Sequence, residues 1–276
     1  QLRLLWLGRQ VAAHAHPDPA QKPLVFFNAT TRIYGLSQNA AFSLLTTSGL
    51  RLVGVPVVQF VCRAGMSHCV LGVDRENYHT PPPCKACTAQ SRRIYHGADV
   101  FWAEYHLDPA LEKSLQGLSV EQLADFEFPF HPFQTPMPLG RLVLPATRWT
   151  LRRHTLPDDE PTRYLFRSFI SSAFSIAQEF SRCLDDTAKR FGAEPSTAVI
   201  FNGIMYPEAS ARWIAQQRGL RVVTHEVSFQ RFSSFFTDGE ATAYPIHIPE
   251  DFDLSAEQSA RLDAYLEKRF QGQFTM

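Results

Sequence analysis

Apolar residues along this chain fall into short continuous runs separated by stretches in which they recur every three or four positions. Pro23 to Asn28 (PLVFFN) is such a run, bounded by proline and a polar loop, which predicts a short buried strand. Ser37 to Ser48 then has helical spacing, through Leu36, Ala40, Phe42, Leu44 and Leu45, and stops at Gly49. Leu50 to Val61 (LRLVGVPVVQFV) is a second, β-branched run interrupted at Gly54 and Pro56. Strand, helix and strand at this spacing predict a parallel pair joined by a crossover, the unit of doubly wound α/β folds.

The second half repeats the pattern more cleanly. Thr197 to Asn202 (TAVIFN) reads as a buried strand. Pro207 to Arg218 reads as a helix with Pro at its start and Gly219 after its end, and Leu220 to Glu226 (LRVVTHE) as the next strand. Between the halves, Ala98 to Trp102 predicts a third strand. Leu107 to Gln116 and Val120 to Phe126 predict short helices, the second capped by Ser119 with Gln122 at the capping-box position. Pro129 to Pro138 is an aromatic and proline-rich loop. Thr162 to Phe191 is the longest periodic stretch, with Leu165, Phe169, Ala173, Ile176, Phe180, Leu184 and Ala188 on one face of a long helix. The expected fold is α/β: a Rossmann-like, open, mostly parallel sheet with helices on both faces, carrying a zinc-stapled loop insertion and a helical insertion. Residues 1–22 are expected to be an N-terminal extension and 23–272 the Rossmann-like domain, with a cysteine-rich insertion at 62–92.

That insertion holds the sharpest chemical signal. Cys62, Cys69, Cys84 and Cys87 fall within 26 residues, and the only other cysteine is Cys183. Cys84-Lys85-Ala86-Cys87 is a CxxC spacing that lets two thiolates reach one tetrahedral ion, and Cys62 and Cys69 supply a second pair from a wider loop. Gly65, Gly72 and Pro81 to Pro83 leave the segment little apolar surface to bury, so it needs a staple. Structural zinc is the expected cofactor; two disulfides or four free thiols are the alternatives, and His68 is a substitute ligand. Four thiolates close the coordination sphere and leave no open position for catalysis.

Composition narrows the rest. Lys plus Arg equals Asp plus Glu at 27 each, with no block of like charge, so neither nucleic acid nor an anionic membrane is called for. Hydrophobic residues at 45%, with 22 Phe, are ample for a large core. No apolar run approaches 18 residues, so no transmembrane segment is expected, although peripheral membrane contact stays open. Clustered thiols at metal spacing and a lone fifth fit a reducing cytoplasm. The start at Gln1, without Met or an apolar leader, leads us to expect a fragment. Neither GxGxxG nor GxxxxGK[ST] is present, so no dinucleotide or P-loop site is supported, and no GxSxG elbow is present for Ser-His-Asp chemistry. His79, His96, His106, His154 and His247 show no metal spacing among themselves. Phe126, Phe128, Phe130, His131 and Phe133 form a stripe that reads as packing rather than a sugar platform.

In open α/β sheets ligands bind outside the carboxyl ends of strands. That rule selects Asn202, Gly203, Ile204, Met205 and Tyr206 after one strand, and His225, Glu226, Ser228 and Arg231 after the next. Asn28, Thr30, Arg32, Tyr34 and Gly35 are the matching positions in the first unit. Glu226 and His225 are the candidate general bases for an acceptor hydroxyl, against the plainer reading of a hydrogen-bonded strand end. Tyr34, Gly35, Asn202, Gly203 and Arg231 are the candidate substrate-binding residues.

Val199-Ile200-Phe201-Asn202-Gly203, a helix with Arg212 and Ala215, then Gly219-Leu220-Arg221-Val222-Val223 and Glu226 resemble the N-terminal half of bacterial GT-B glycosyltransferases of the capsular and surface polysaccharide type. The C…C…CxxC insertion after the second strand, the segment Pro138-Leu139-Gly140, and Ser255 to Arg269 followed by Gly272 are similar to features of such enzymes. The resemblance implies an acceptor-side domain that meets a nucleotide-sugar held mainly by a C-terminal donor domain, which is missing here, and a saccharide or lipid-linked acceptor. The alternative is a non-catalytic, zinc-stabilised α/β binding or scaffold module.

Overall fold

The computed structural model describes residues 2–29, 35–228, 232–243 and 247–273. Its centre is a six-stranded sheet in the order β3-β2-β1-β4-β5-β6. The strands are β1 (Leu24–Asn28), β2 (Val57–Cys62), β3 (Asp99–Ala103), β4 (Thr197–Phe201), β5 (Arg221–Val227) and β6 (Ser234–Thr237). The first five are parallel, and β6 runs antiparallel to β5, pairing Glu226 with Phe235 and His225 with Phe236. The open, mostly parallel sheet is the expected class.

Alternation along the strands divides the core between the two faces. Val25, Phe27, Val58, Phe60, Ala198, Ile200 and Val222 face one way, against α7 (Glu160–Phe191) and α8 (Tyr206–Gln217). Phe26, Val57 and Val199 face the other way, where Leu50 of α2 (Gln38–Leu52) covers them. The outer part of that second face is closed by Leu4 of α1 (Leu2–His14) and by Ile94 of α3 (Cys84–Ile94), around Val61. The spine of the larger core is aromatic: Phe27 stacks on Phe60 with centroids 4.8 Å apart, and Phe180 of α7 meets both edge-on at 5.4 Å. Such pairs add about 0.5–1.5 kcal/mol each beyond the area they bury.

α7 is the long helix that the 3.6-residue period predicts. Asp159 caps its start by accepting from the Thr162 amide, and Gly192, at φ +66°, closes its end. At 1.5 Å per residue its 32 residues span about 48 Å. Against it pack the short α4 (Pro109–Ser114) and α5 (Val120–Ala124), and α6 (Leu139–Leu151). The capping box of Ser119 and Gln122 forms as expected. The Phe stripe is packing: Phe130 is buried against Phe174 and Trp213, and Phe128 meets Phe174 edge-on.

Several boundaries differ from the sequence reading. The run from Leu50 splits, since α2 continues to Leu52 and the strand begins only at Val57, after Gly54 and Pro56 have turned the chain. The segment before Pro23 carries α1, whose Gly8 packs so closely on the turn after α3 that a Cβ there would lie 2.1 Å from the His96 carbonyl oxygen. Within the cysteine segment, Cys84 and Cys87 open α3 rather than a bare knuckle. α6 and β6 were not anticipated. α6 contains Pro145, a breaker in isolation, but burying Leu139, Val143 and Ala146 overrides the penalty. Finally, α9 (Ala256–Phe270) has a full capping box but buries none of its residues.

Candidate functional site at the carboxyl edge of the sheet

β1 and β4 are neighbours, and the chain winds outward from them in both directions, so the topological switch point lies between them. Their carboxyl ends, with that of β5, frame a cavity of about 290 Å³, at the lower end of the range of roughly 300–1,000 Å³ for small-molecule pockets. Phe27 and Asn28 of β1 form its floor with Phe201 and His225. Ser37, Asn39 and Ala40 at the start of α2 form one wall, and Met205 and Glu208 at the start of α8 another. Val70 and Leu71 of the cysteine segment, with Tyr95 after α3, complete it.

A hydrogen-bond network ties this edge together. After β4 the chain enters the left-handed region at Asn202 (φ +62°) and Gly203 (φ +87°). Gly203 is needed there, because a Cβ would press on the Thr224 methyl at 3.1 Å as well as strain the backbone. The turn aims the Asn202 side chain across to β5: its Nδ2 donates to Glu226 Oε2 at 2.9 Å, and its Oδ1 accepts from the Ile204 amide at 3.0 Å. Glu226 Oε1 accepts from the Val227 amide at 2.8 Å and from Asn39 Nδ2 at 3.3 Å. One carboxylate thus joins α2, β4 and β5. On the other side, Asn28 Nδ2 donates to Gln59 Oε1 at 2.7 Å and its Oδ1 accepts from Ser43 at 3.0 Å.

The Oδ1 of Asn39 and the Nδ1 of His225 are buried without a hydrogen-bond partner among the described residues. His225 is 3% exposed, lies between Phe201 and Phe236, and is held neutral because burial pushes its pKa down to about 4. Buried polar atoms are nearly always paired, with protein groups or ordered water, so Asn39 Oδ1 and His225 Nδ1 offer hydrogen-bonding positions to whatever fills the cavity.

Compared with known protein families, curated proteins and solved structures, the chain shows no match.

Of the residues chosen from sequence, the structure brings His225, Asn202, Gly203 and Glu226 to this edge. Gly35 lies just ahead of Ser37, the N-cap of α2, and its carbonyl accepts from Gln90 at 2.8 Å. Tyr34 and Arg231 lie outside the described residues, as do Thr30 and Arg32. Sequence reasoning missed Asn39 and Glu208, the latter 1% exposed. Both sit in first helical turns, where polar residues ordinarily cap or face solvent, and only Pro207 at the start of α8 hinted that Glu208 turns toward a strand end.

The four thiols gather at a second, smaller pocket of about 30 Å³, shared with Ala29, Met66, Pro82 and Pro83. Cys62 Sγ accepts from the Gly65 amide and Cys69 Sγ from the Gly72 amide, each at 3.2 Å. Burial, with a smaller contribution from the neighbouring thiols, pushes the Cys62 thiol up to about 12 and Cys69 to about 11. All five cysteines are reduced. Among the described residues no set of three His, Cys, Asp or Glu side chains forms a ready-made ion site. His68 is turned away to the Tyr78 carbonyl (2.8 Å) and the Tyr164 hydroxyl (3.3 Å). No helix among the described residues is long and apolar enough to cross a membrane.

Proposed function

We propose that the chain is the acceptor-side domain of a cytoplasmic glycosyltransferase, with the switch-point cavity receiving a saccharide or the sugar head of a lipid-linked acceptor. The observation that carries this reading is the pair of orphaned polar atoms, Asn39 Oδ1 and His225 Nδ1, in a cavity otherwise walled by aromatic and aliphatic groups. Sugars present alternating hydroxyls and apolar ring faces, and a lining of amide, imidazole, carboxylate and phenyl groups answers both. Glu226 is the proposed general base. An ionised carboxylate offers about four lone-pair positions, and the described residues use three, so a fourth on Oε2 would serve an acceptor hydroxyl. His225 is the second candidate for that role. The nucleotide-sugar donor is assigned to a separate domain.

The second part of the reading is structural zinc on Cys62, Cys69, Cys84 and Cys87. The donor set is soft and fourfold, and two sulfurs already receive backbone N–H groups; burial raises the pKa of the Cys84 and Cys87 thiols in the first turn of α3, so an ion there would have to displace their protons. The non-catalytic module remains the competing reading, favoured by the use of Glu226 as a three-way structural tie.

Saturation-transfer NMR on the purified chain with neutral mono- and disaccharides tests the acceptor reading. Signals are expected from the chain and not from an Asn39→Ala, His225→Phe double variant that remains folded. Silence with every saccharide, or signals unchanged in the variant, would overturn the assignment of the cavity.

A further inference from the structure

The cavity and the thiol pocket share a wall. Val70 and Leu71 face the cavity, while Leu71, Cys69 and Gly72 face the thiols, so four consecutive residues form the partition. Gly72 has no room for a side chain there: a Cβ would stand 3.0 Å from Pro82, and 3.2 Å from Pro83 and from Cys69 Sγ. The end of β1 divides in the same way: its last residue, Asn28, lines the cavity, and the next one, Ala29, lines the thiol pocket.

Two further links leave the cysteine segment for the cavity. α3, which opens with Cys84 and Cys87, is followed directly by Tyr95 in the cavity wall, and its buried Gln90 donates through Nε2 to the Gly35 carbonyl at 2.8 Å, two residues ahead of the α2 cap. The fully buried Tyr206, first residue of α8, donates its hydroxyl to the His68 carbonyl and contacts Met66 Sδ at 3.1 Å. Glu208 of the cavity lies two residues farther along that helix. Elsewhere the segment is held by Ser67 and His68 at Ser172 and Tyr164 of α7 and by Met66 and Val70 in the main core, while most of 71–83 is turn and bend.

We infer that the four thiols form a soft-metal site whose occupation orders the ligand cavity, through the 69–72 partition, the Gln90–Gly35 bond and the Tyr206–His68 bond. The inference rests on the zinc reading above and adds a consequence for the neighbouring site. Loading takes Zn²⁺ from solution and releases the four thiol protons to water as the Zn–S bonds form. Residues 183–191, at the far end of helix α7, stand outside this linkage, whereas Tyr164 and Ser172 nearer its start contact the cysteine segment directly.

Hydrogen exchange read by mass spectrometry, on zinc-loaded and chelated forms of the whole chain, tests it, with zinc measured on the same samples by elemental analysis. The loaded form is expected to carry close to one zinc per chain. Chelation is expected to speed exchange about tenfold, the worth of a buried hydrogen bond, in residues 35–42 and 205–209 as well as in 62–95, and to leave 183–191 unchanged. Gln90→Leu should keep its zinc yet exchange faster at 35–42 in the loaded form. Tyr206→Phe should do the same at 205–209 and serves if Gln90→Leu fails to fold. Zinc bound with changes confined to 62–95, or variants that exchange like the parent, would overturn the linkage and leave the zinc reading standing. Absence of bound zinc would overturn both.

Discussion

The side chain that does most at the carboxyl edge is Glu226, and its three donors set two expectations. Glutamine at 226 keeps the shape but turns one acceptor oxygen into an amide that faces donors from Asn39, Asn202 or Val227, which costs about 1–3 kcal/mol of stability. If Glu226 is also the base, turnover per folded molecule in the complete enzyme falls about 10²–10⁴-fold with a smaller change in the acceptor's Michaelis constant. Urea titration beside steady-state kinetics separates the two effects, and lost stability with normal turnover assigns Glu226 to structure alone. His225 carries the pH signature. Its folded pKa near 4 lies below the unfolded value near 6.5, so the unfolded chain binds the extra proton between those values. Stability is therefore full at pH 7 and is lost as pH falls from about 6.5 to 4, by about 3 kcal/mol in all. His225→Phe is expected to flatten that part of the acid limb of the urea midpoint, and an unchanged limb would show that the imidazole protonates without penalty.

Among the elements, α7 carries the core and the cysteine segment carries the linkage. Phe180 meets both Phe27 and Phe60 edge-on and is fully buried, so Phe180→Ala is expected to cost about 3–5 kcal/mol, read as a lower urea midpoint at unchanged slope. α7 was legible from sequence because its apolar stripe repeats over many turns and its cap and terminal glycine agree with the pattern. α6 was not, because Pro145 argues against a helix locally and only burial between α5, α7 and α8 supplies the opposing free energy. Cys84→Ser is expected to lower the thermal midpoint of the zinc-loaded chain and leave that of the chelated chain nearly unchanged, since metal binding to such a site is folding free energy. Equal loss in both forms would assign Cys84 to packing.

For the whole molecule, the proposed acceptor-side role leads to one more expectation: calorimetry on the 276-residue chain should show no tight association with uridine or guanosine diphosphate sugars. Micromolar binding, about 8 kcal/mol at standard state, would move the donor site into this domain. Sequence alone determined the α/β class, the strands β1, β4 and β5 nearly to the residue, and the long helix α7, because strand and helix periods are local and the caps are local too. It also placed Asn202, Gly203, His225 and Glu226 at the carboxyl edge of the sheet, since they lie at the ends of apolar runs. The strand order, the antiparallel β6 and the convergence of Asn39 on Glu226 across 187 positions were decided only by tertiary packing. So was the wall that Leu71 places between cavity and thiols. Nothing in residues 35–40 or 69–72 taken alone encodes what they face; the physical reason is that a loop or a first helical turn has many conformations of similar energy, and contacts distant in the chain select one.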